Sequence, residues 1–176
     1  MSDLTLPHLN AAGDARMVDV SDKAVTARTA TAAGTVLLSA ECVRALRDQT
    51  VPKGDALAVA RIAGIQGVKK TPDLIPLCHP LPITGVDVET VVVDDGVEIT
   101  VTVRSTGRTG VEMEALTGVS VAGLAVIDMV KAIDRAATIT DVRVLSKSGG
   151  RRGDWQRDDG RQDDGPRDDR RQEKSS

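Results

Sequence analysis

The run Leu124-Ala125-Val126-Ile127-Asp128-Met129-Val130-Lys131 sets a carboxylate, and three residues on an ammonium, into otherwise apolar sequence. A three-residue step on a helix keeps both groups on one face. A helix apolar on nearly every side is a buried one, so Asp128 is expected to be buried. Burying a carboxylate is costly unless it is paired, and its pKa is then easily displaced. Two readings stand side by side: a structural ion pair at a helix or subunit contact, or an acid–base pair whose pKa values are moved toward neutrality.

Pro76-Leu77-Cys78-His79-Pro80-Leu81-Pro82 is a second chemical stretch, in which prolines fix the chain direction around one imidazole. A structural zinc site needs more ligands than this chain offers, since His8 and Cys42 are the only other histidine and cysteine. A cysteine nucleophile needs a base beside the thiol, whereas adjacent residues on extended chain point opposite ways. His79 reads better as a hydrogen-bonding group in a pocket. A third stretch, Gly107-Arg108-Thr109-Gly110-Val111-Glu112-Met113-Glu114, opens a helix without the Gly-Lys-Ser/Thr ending of a Walker loop. Its acids are either favourable first-turn residues or acceptors for the amino and imino groups of a polar ring. Lys53, Lys69, Lys70 and Lys147 stand at predicted element ends; each is either solvated or, together with Arg28, part of a set able to neutralise a phosphate chain.

Behind these groups the chain must supply a scaffold. Residues 17–38 read as extended structure with a break at Gly34. Ser39 is placed to cap a short helix carrying Val43 and Leu46. Leu57, Ala58, Ile62, Ile65 and Val68 recur at helical spacing and predict a half-buried helix ending before Pro72. Val86, Val88 and Val93 lead into an Asp95-Gly96 hairpin turn, after which Val97, Ile99, Val101 and Val103 alternate with Glu98, Thr100 and Thr102. A long helix over 112–135 and a strand over 138–145 complete an α+β order that suggests a ferredoxin-like sandwich.

A chain of 176 residues is about one domain long. Its division is expected to be a loose segment over 1–14, one domain over 15–150 and a disordered Arg- and Asp-rich tail over 151–176, which has almost no apolar surface to offset its ordering entropy. The formal charge of −3 gives no global field for wrapping nucleic acid or an anionic membrane. No apolar run reaches the ~20 uninterrupted residues of a bilayer crossing, and a basic-then-apolar leader is missing, so a soluble protein is expected. Two distant cysteines fit a reducing cytosol. Phe and Tyr are absent and Trp155 is the only tryptophan. The core must therefore be packed from smaller side chains, and an oligomer is expected to supply the missing burial.

Taken in order, Met17-Val18-Asp19-Val20, Lys53-Gly54-Asp55, Ala60-Arg61-Ile62-Ala63-Gly64-Ile65-Gln66 and Leu74-Ile75-Pro76-Leu77-Cys78-His79-Pro80-Leu81 are specific strings. With Thr109-Gly110-Val111-Glu112-Met113-Glu114-Ala115-Leu116-Thr117, Asp128-Met129, Lys131-Ala132 and Lys147-Ser148-Gly149-Gly150, they make residues 4–150 closely resemble the cyclic pyranopterin monophosphate synthase family of molybdenum cofactor biosynthesis. The resemblance implies a ferredoxin-like subunit in a trimer of dimers, with each active site formed across a dimer interface. The implied substrate is 3′,8-cyclo-7,8-dihydroguanosine 5′-triphosphate, the product cyclic pyranopterin monophosphate, and pyrophosphate leaves. Neither a metal nor an organic cofactor is implied.

Carried over by motif, Asp128 and Lys131 resemble the central acid–base residues, with Lys53 assisting proton transfer and pyrophosphate departure. Leu77, Cys78, His79, Met113 and Glu114 resemble the substrate-contacting segments. Glu112 would support the purine-derived ring, and Lys69, Lys147 and Arg28 would face the triphosphate. The tail after Gly150 departs from the family pattern and carries no implied role. A non-catalytic homologue that grips a purine triphosphate is the rival reading; it predicts loss of Asp128, Lys131 or Lys53, and all three are present. A nucleic-acid-binding ferredoxin-like domain would need exposed aromatics for base stacking, which the composition denies.

Overall fold

The computed structural model describes residues 13–151 and 153–158. Its elements are β1 (Thr26–Leu37), α1 (Ala40–Arg47), α2 (Ala56–Leu74), β2 (Ile83–Val93), β3 (Gly96–Gly107), α3 (Glu112–Val130), β4 (Thr138–Ser148) and β5 (Trp155–Gln156). The strands form one sheet in the order β2-β3-β1-β4-β5, with every neighbouring pair antiparallel. The β1-helix-β2 unit brackets β3, and the β3-α3-β4 unit brackets β1. Two interleaved split units of this kind define the α+β, ferredoxin-like arrangement that the sequence predicts.

Alternation in β3 places Val97, Ile99, Val101 and Val103 in the core, facing Ala30, Ala32 and Val36 of β1 and Val119, Ala122 and Val126 of α3. Helices α2 and α3 pack against each other and lie over the sheet. Their crossing runs through small residues: a Cβ added at Gly118 would stand 2.8 Å from Val68 Cγ2 and 2.9 Å from Val101 Cγ1, and one at Gly67 would stand 2.8 Å from Val121 Cβ. Small residues at a helix contact let the backbones approach and fill the interior without large side chains.

The buried face of α2 is accordingly Ala56, Ala60, Gly64, Gly67, Val68 and Thr71. Of the apolar residues that predicted this helix, Val68 lies on that face and Leu57 packs against the core, whereas Ile62 is 61 % exposed. Nor does the helix stop at Pro72. Proline lacks the N–H that would bond to the Val68 carbonyl, and the Thr71 hydroxyl donates to that oxygen instead at 3.0 Å. Gly34 is no break in β1; it makes room for α3, because a Cβ there would sit 2.7 Å from Val119 Cγ1. The irregularity lies on the partner strand, where the β1-to-β4 register shifts between Ala33 and Thr35 and Asp141 adopts a φ of +58°.

Ser39 caps α1 as predicted, its Oγ accepting from the Cys42 N–H at 3.3 Å. The hairpin turn is Asp94-Asp95, and Gly96 already pairs with Val93. Gly96 is required for a different reason, since a Cβ would collide with the Val36 carbonyl oxygen of β1. α3 closes at Val130, five residues before the predicted end, and the chain then folds onto Asp134. This carboxylate accepts from the Ser39 N–H at 2.6 Å and the Ala136 N–H at 2.9 Å, joining the entrance of α1 to the entrance of β4. By length and composition α3 would suit a bilayer, but its apolar face is spent on α2 and the sheet. Of the predicted polar tail, Trp155 and Gln156 pair with β4 as a short edge strand; residues 1–12 and 159–176 lie outside the described residues.

Candidate active site

One large cavity, about 1120 Å³, opens where the C-terminal ends of β3 and β4 meet the start of α3. Local sequence explains the convergence. The proline-flanked 76–82 segment leads into β2, whose neighbour β3 ends at Gly107, and the Gly107 to Gly110 turn then reverses the chain into α3. Arg28, Leu77, Cys78, His79, Glu112, Met113, Glu114 and Lys147 all line this cavity. Far-separated segments that the sequence singled out for different chemical reasons thus share one wall.

Within the cavity, Lys147 Nζ lies 3.0 Å from Glu112 Oε1, an ion pair in which both side chains are largely covered. Glu114 is 3 % exposed. Burial pushes its carboxyl pKa up, and the nearby Glu112 charge pushes in the same direction. His79 Nε2 stands 2.8 Å from the Val18 carbonyl oxygen. That contact needs a proton on Nε2 and leaves Nδ1 for a second hydrogen bond. Burial raises the Cys78 thiol pKa, and the Glu114 charge adds to the rise. A thiol held protonated in this way is a poor nucleophile, in keeping with the sequence argument against cysteine catalysis. Arg28 donates from Nη2 to the Arg108 carbonyl at 3.3 Å, while its buried Nε has no partner among the described residues.

Val18 to Val20 and Asp22 to Ala24, together with Arg108 and Arg151, also line the cavity. Asp19, Lys23 and Arg108 were not singled out as site residues by sequence reasoning. Arg108 had a usable signal, its place inside the glycine-bearing turn, and Asp19 had one in the Met17-Val18-Asp19-Val20 string; Lys23 had none, because nothing in its spacing shows that the chain before β1 lies against the Cys-His turn.

Lys53, Asp128 and Lys131 form a separate cluster that does not line this cavity of the same chain. Lys53 Nζ donates to Asp128 Oδ2 at 2.9 Å and to the Asp128 carbonyl at 2.8 Å, and Lys131 Nζ lies 2.7 Å from Asp128 Oδ1. The expectation of a buried Asp128 fails: its side chain is 57 % exposed. The hydrophobicity of α3 misleads because the surface that α2 and the sheet leave free includes Leu124 and Asp128. The direction of its pKa differs from the expected one as well. Hydrogen bonds and charge from Lys131, then from Lys53, hold the carboxyl at about 2, well below neutrality. Lys69 is exposed on α2 and is likewise outside the cavity. Among the described residues no three His, Cys, Asp or Glu side chains are grouped as a metal ion would require.

A two-layer ferredoxin-like subunit with a cation-lined cavity beside buried carboxyls, and a Lys-Asp-Lys cluster on its helical surface, has the makings of an enzyme acting on a polar, phosphorylated small molecule. Comparison with known proteins narrows that class. Residues 17–150 match the model of the MoaC family. The chain is 66 % identical over 152 residues to the cyclic pyranopterin monophosphate synthase of Streptomyces coelicolor, covering 86 % of this chain and 89 % of that one. It is 63 % identical over 155 residues to the enzyme of the same name from a Nocardioides species, covering 86 % and 95 %. A cyclic pyranopterin monophosphate synthase 2 of Mycobacterium tuberculosis is 59 % identical over 152 residues, covering 86 % and 91 %. The chain belongs to the MoaC family.

Proposed function

We propose that this protein is a cyclic pyranopterin monophosphate synthase, a lyase of molybdenum cofactor biosynthesis. It converts (8S)-3′,8-cyclo-7,8-dihydroguanosine 5′-triphosphate to cyclic pyranopterin monophosphate with release of pyrophosphate. The observation that carries this reading is the convergence of Arg28, the Leu77-Cys78-His79 turn, Glu112 to Glu114 and Lys147 on one cavity, in a chain of this family. Arg28 and Lys147 suit the triphosphate, while Glu112 and Glu114 suit the amino and imino groups of a purine-derived ring.

Asp128 and Lys131 are the acid–base residues of this scheme, and Lys53 assists proton transfer and pyrophosphate departure. Because the carboxyl is held ionised, the two ammonium groups are the proton donors of the resting cluster and Asp128 is their anchor. The cluster does not line its own cavity; Asp128 is on α3 and Lys53 lies just before α2, the helices that carry the exposed apolar side chains Val59, Ile62 and Leu124. Exposed apolar residues flanking a charged cluster suit a subunit contact. In the proposed assembly, a homohexamer built as a trimer of dimers, that contact brings Lys53, Asp128, Lys131 and Lys69 of one protomer to the cavity of its partner. Residues 15–150 form the catalytic domain, a cytoplasmic location suits the pathway, and neither a cofactor nor a metal takes part.

Incubating the purified protein with the cyclised GTP derivative tests the proposal, with pyrophosphate and a pterin product as readouts and a chelator in a parallel reaction. Product should form with and without the chelator, and Asp128→Ala should abolish it while the oligomer persists. Comparable turnover by that variant removes Asp128 from the chemistry, and no product from the wild-type protein rejects the function.

A further inference from the structure

Beyond Gly150 the chain turns back along the edge of the sheet. Lys147 pairs with Trp155 and Ser146 with Gln156 across β4 and β5. The Arg157 N–H donates to the Leu145 carbonyl at 2.7 Å, and Arg157 Nε donates to the Val144 carbonyl at 2.8 Å. The Arg157 guanidinium also stands 5.7 Å from the centre of the Trp155 ring, within range of a cation–π contact. At the tip, the Gly153 N–H donates to the Gly150 carbonyl at 3.1 Å, and the Gly149 N–H donates to Asp154 Oδ1 at 3.0 Å.

What this hairpin fastens is a wall of the cavity. Lys147, Ser148, Gly149 and Gly150 all line it. Gly149 and Gly150 have φ of +86° and +81°; a Cβ on the first would strike the Ala27 carbonyl, and one on the second would strike the Arg28 guanidinium. The double-glycine turn therefore packs directly on the strand and side chain that present Arg28. Two consecutive glycines are also the most costly residues to order. A turn left unfastened would be ordered only when a ligand binds, at the expense of affinity.

We infer that residues 153–158 are a clamp for the anion-binding rim, with Asp154 as a positioning residue that holds the Gly149-Gly150 turn against Arg28 and sets Lys147 for a di- or triphosphate group. This rests on the proposed function for its natural ligand, though not for the clamp itself. The clamp acts on binding rather than on proton transfer.

The full-length protein, Asp154→Ala and Asp154→Asn are compared in three measurements: amide hydrogen exchange at Gly149, calorimetric affinity for inorganic pyrophosphate, and KM and kcat with the cyclised GTP derivative. In Asp154→Ala the Gly149 amide should exchange faster, pyrophosphate should bind more weakly, and KM should rise about three- to tenfold, as loss of one net hydrogen bond predicts, with kcat within about twofold of the wild-type value. Asp154→Asn keeps an acceptor oxygen and should restore most of each effect. Unchanged exchange and pyrophosphate affinity in Asp154→Ala, a fall in kcat at constant KM, or an Asn variant no better than Ala would each overturn the clamp. Wild-type protein that fails to turn over the substrate would refute the function alone, since exchange and pyrophosphate affinity still decide the clamp.

Discussion

Gly118→Ala is the sharpest test of the close crossing of α2 and α3. The new methyl group would meet Val68 Cγ2 at 2.8 Å and Val101 Cγ1 at 2.9 Å. Val68 is 1 % exposed and Val101 fully buried, and branching at Cβ leaves neither an easy alternative rotamer. Overpacking of this kind costs about 1–3 kcal/mol. Replacing glycine by alanine inside a helix returns about 1 kcal/mol. The net expectation is a loss of about 1 kcal/mol, or a fall of a few degrees in Tm for a chain of this size. Because assembly would make stability depend on concentration, chemical denaturation is compared at one protomer concentration. Adding Val68→Ala removes one of the two clashing methyls, so the double variant should lose less than the sum of the single losses. A Gly118→Ala protein about 1 kcal/mol more stable than wild type would show the full helix-propensity gain without penalty and refute the close crossing.

Two titrations follow from the charged groups. The Asp128 carboxyl, held at about 2 against an ordinary 3.8 by Lys131 and Lys53, should keep its ion pairs above pH 4 and lose their stabilisation as pH falls toward 2; a midpoint at or above 3.8, followed by carbon NMR of labelled aspartate, would contradict this. Glu114 is the opposite case, since its raised pKa means that ionisation is penalised in the folded state. Stability contributed by the neutral form is intact below the ordinary value of 4.5 and is lost as pH rises through the raised folded value. Glu114→Gln should therefore denature at higher urea concentration than wild type at pH 7, with the advantage vanishing near pH 4, and an equal advantage at both values would sink the argument.

Much of the scaffold is legible along the chain because its signals are local. The strict alternation of Val97 to Val103, the Ser39 cap and the glycine-bearing turn before Glu112 each depend on neighbours within a few residues, and each forms where expected. Helix ends were less legible. Pro72 stays helical only because Thr71 can take over the Val68 carbonyl, and α3 stops early as the chain turns to bring Asp134 to Ser39 and Ala136.

From the sequence alone came the identity of the reactive groups and the specific strings around them, since residue type and short-range spacing are written directly in the chain. Only the tertiary structure decided that Arg28, His79, Glu114 and Lys147 face one cavity, that Asp128 is solvated between two lysines, and that Asp154 fastens the Gly149 turn. The reason is that hydrophobicity reports how much of α3 must be covered, whereas which side is covered depends on where α2 and the sheet lie. With Gly64, Gly67 and Gly118 at that contact beside Val68, apolar side chains such as Ile62 and Leu124 are left exposed, so the apolar stripe alone does not mark the buried face.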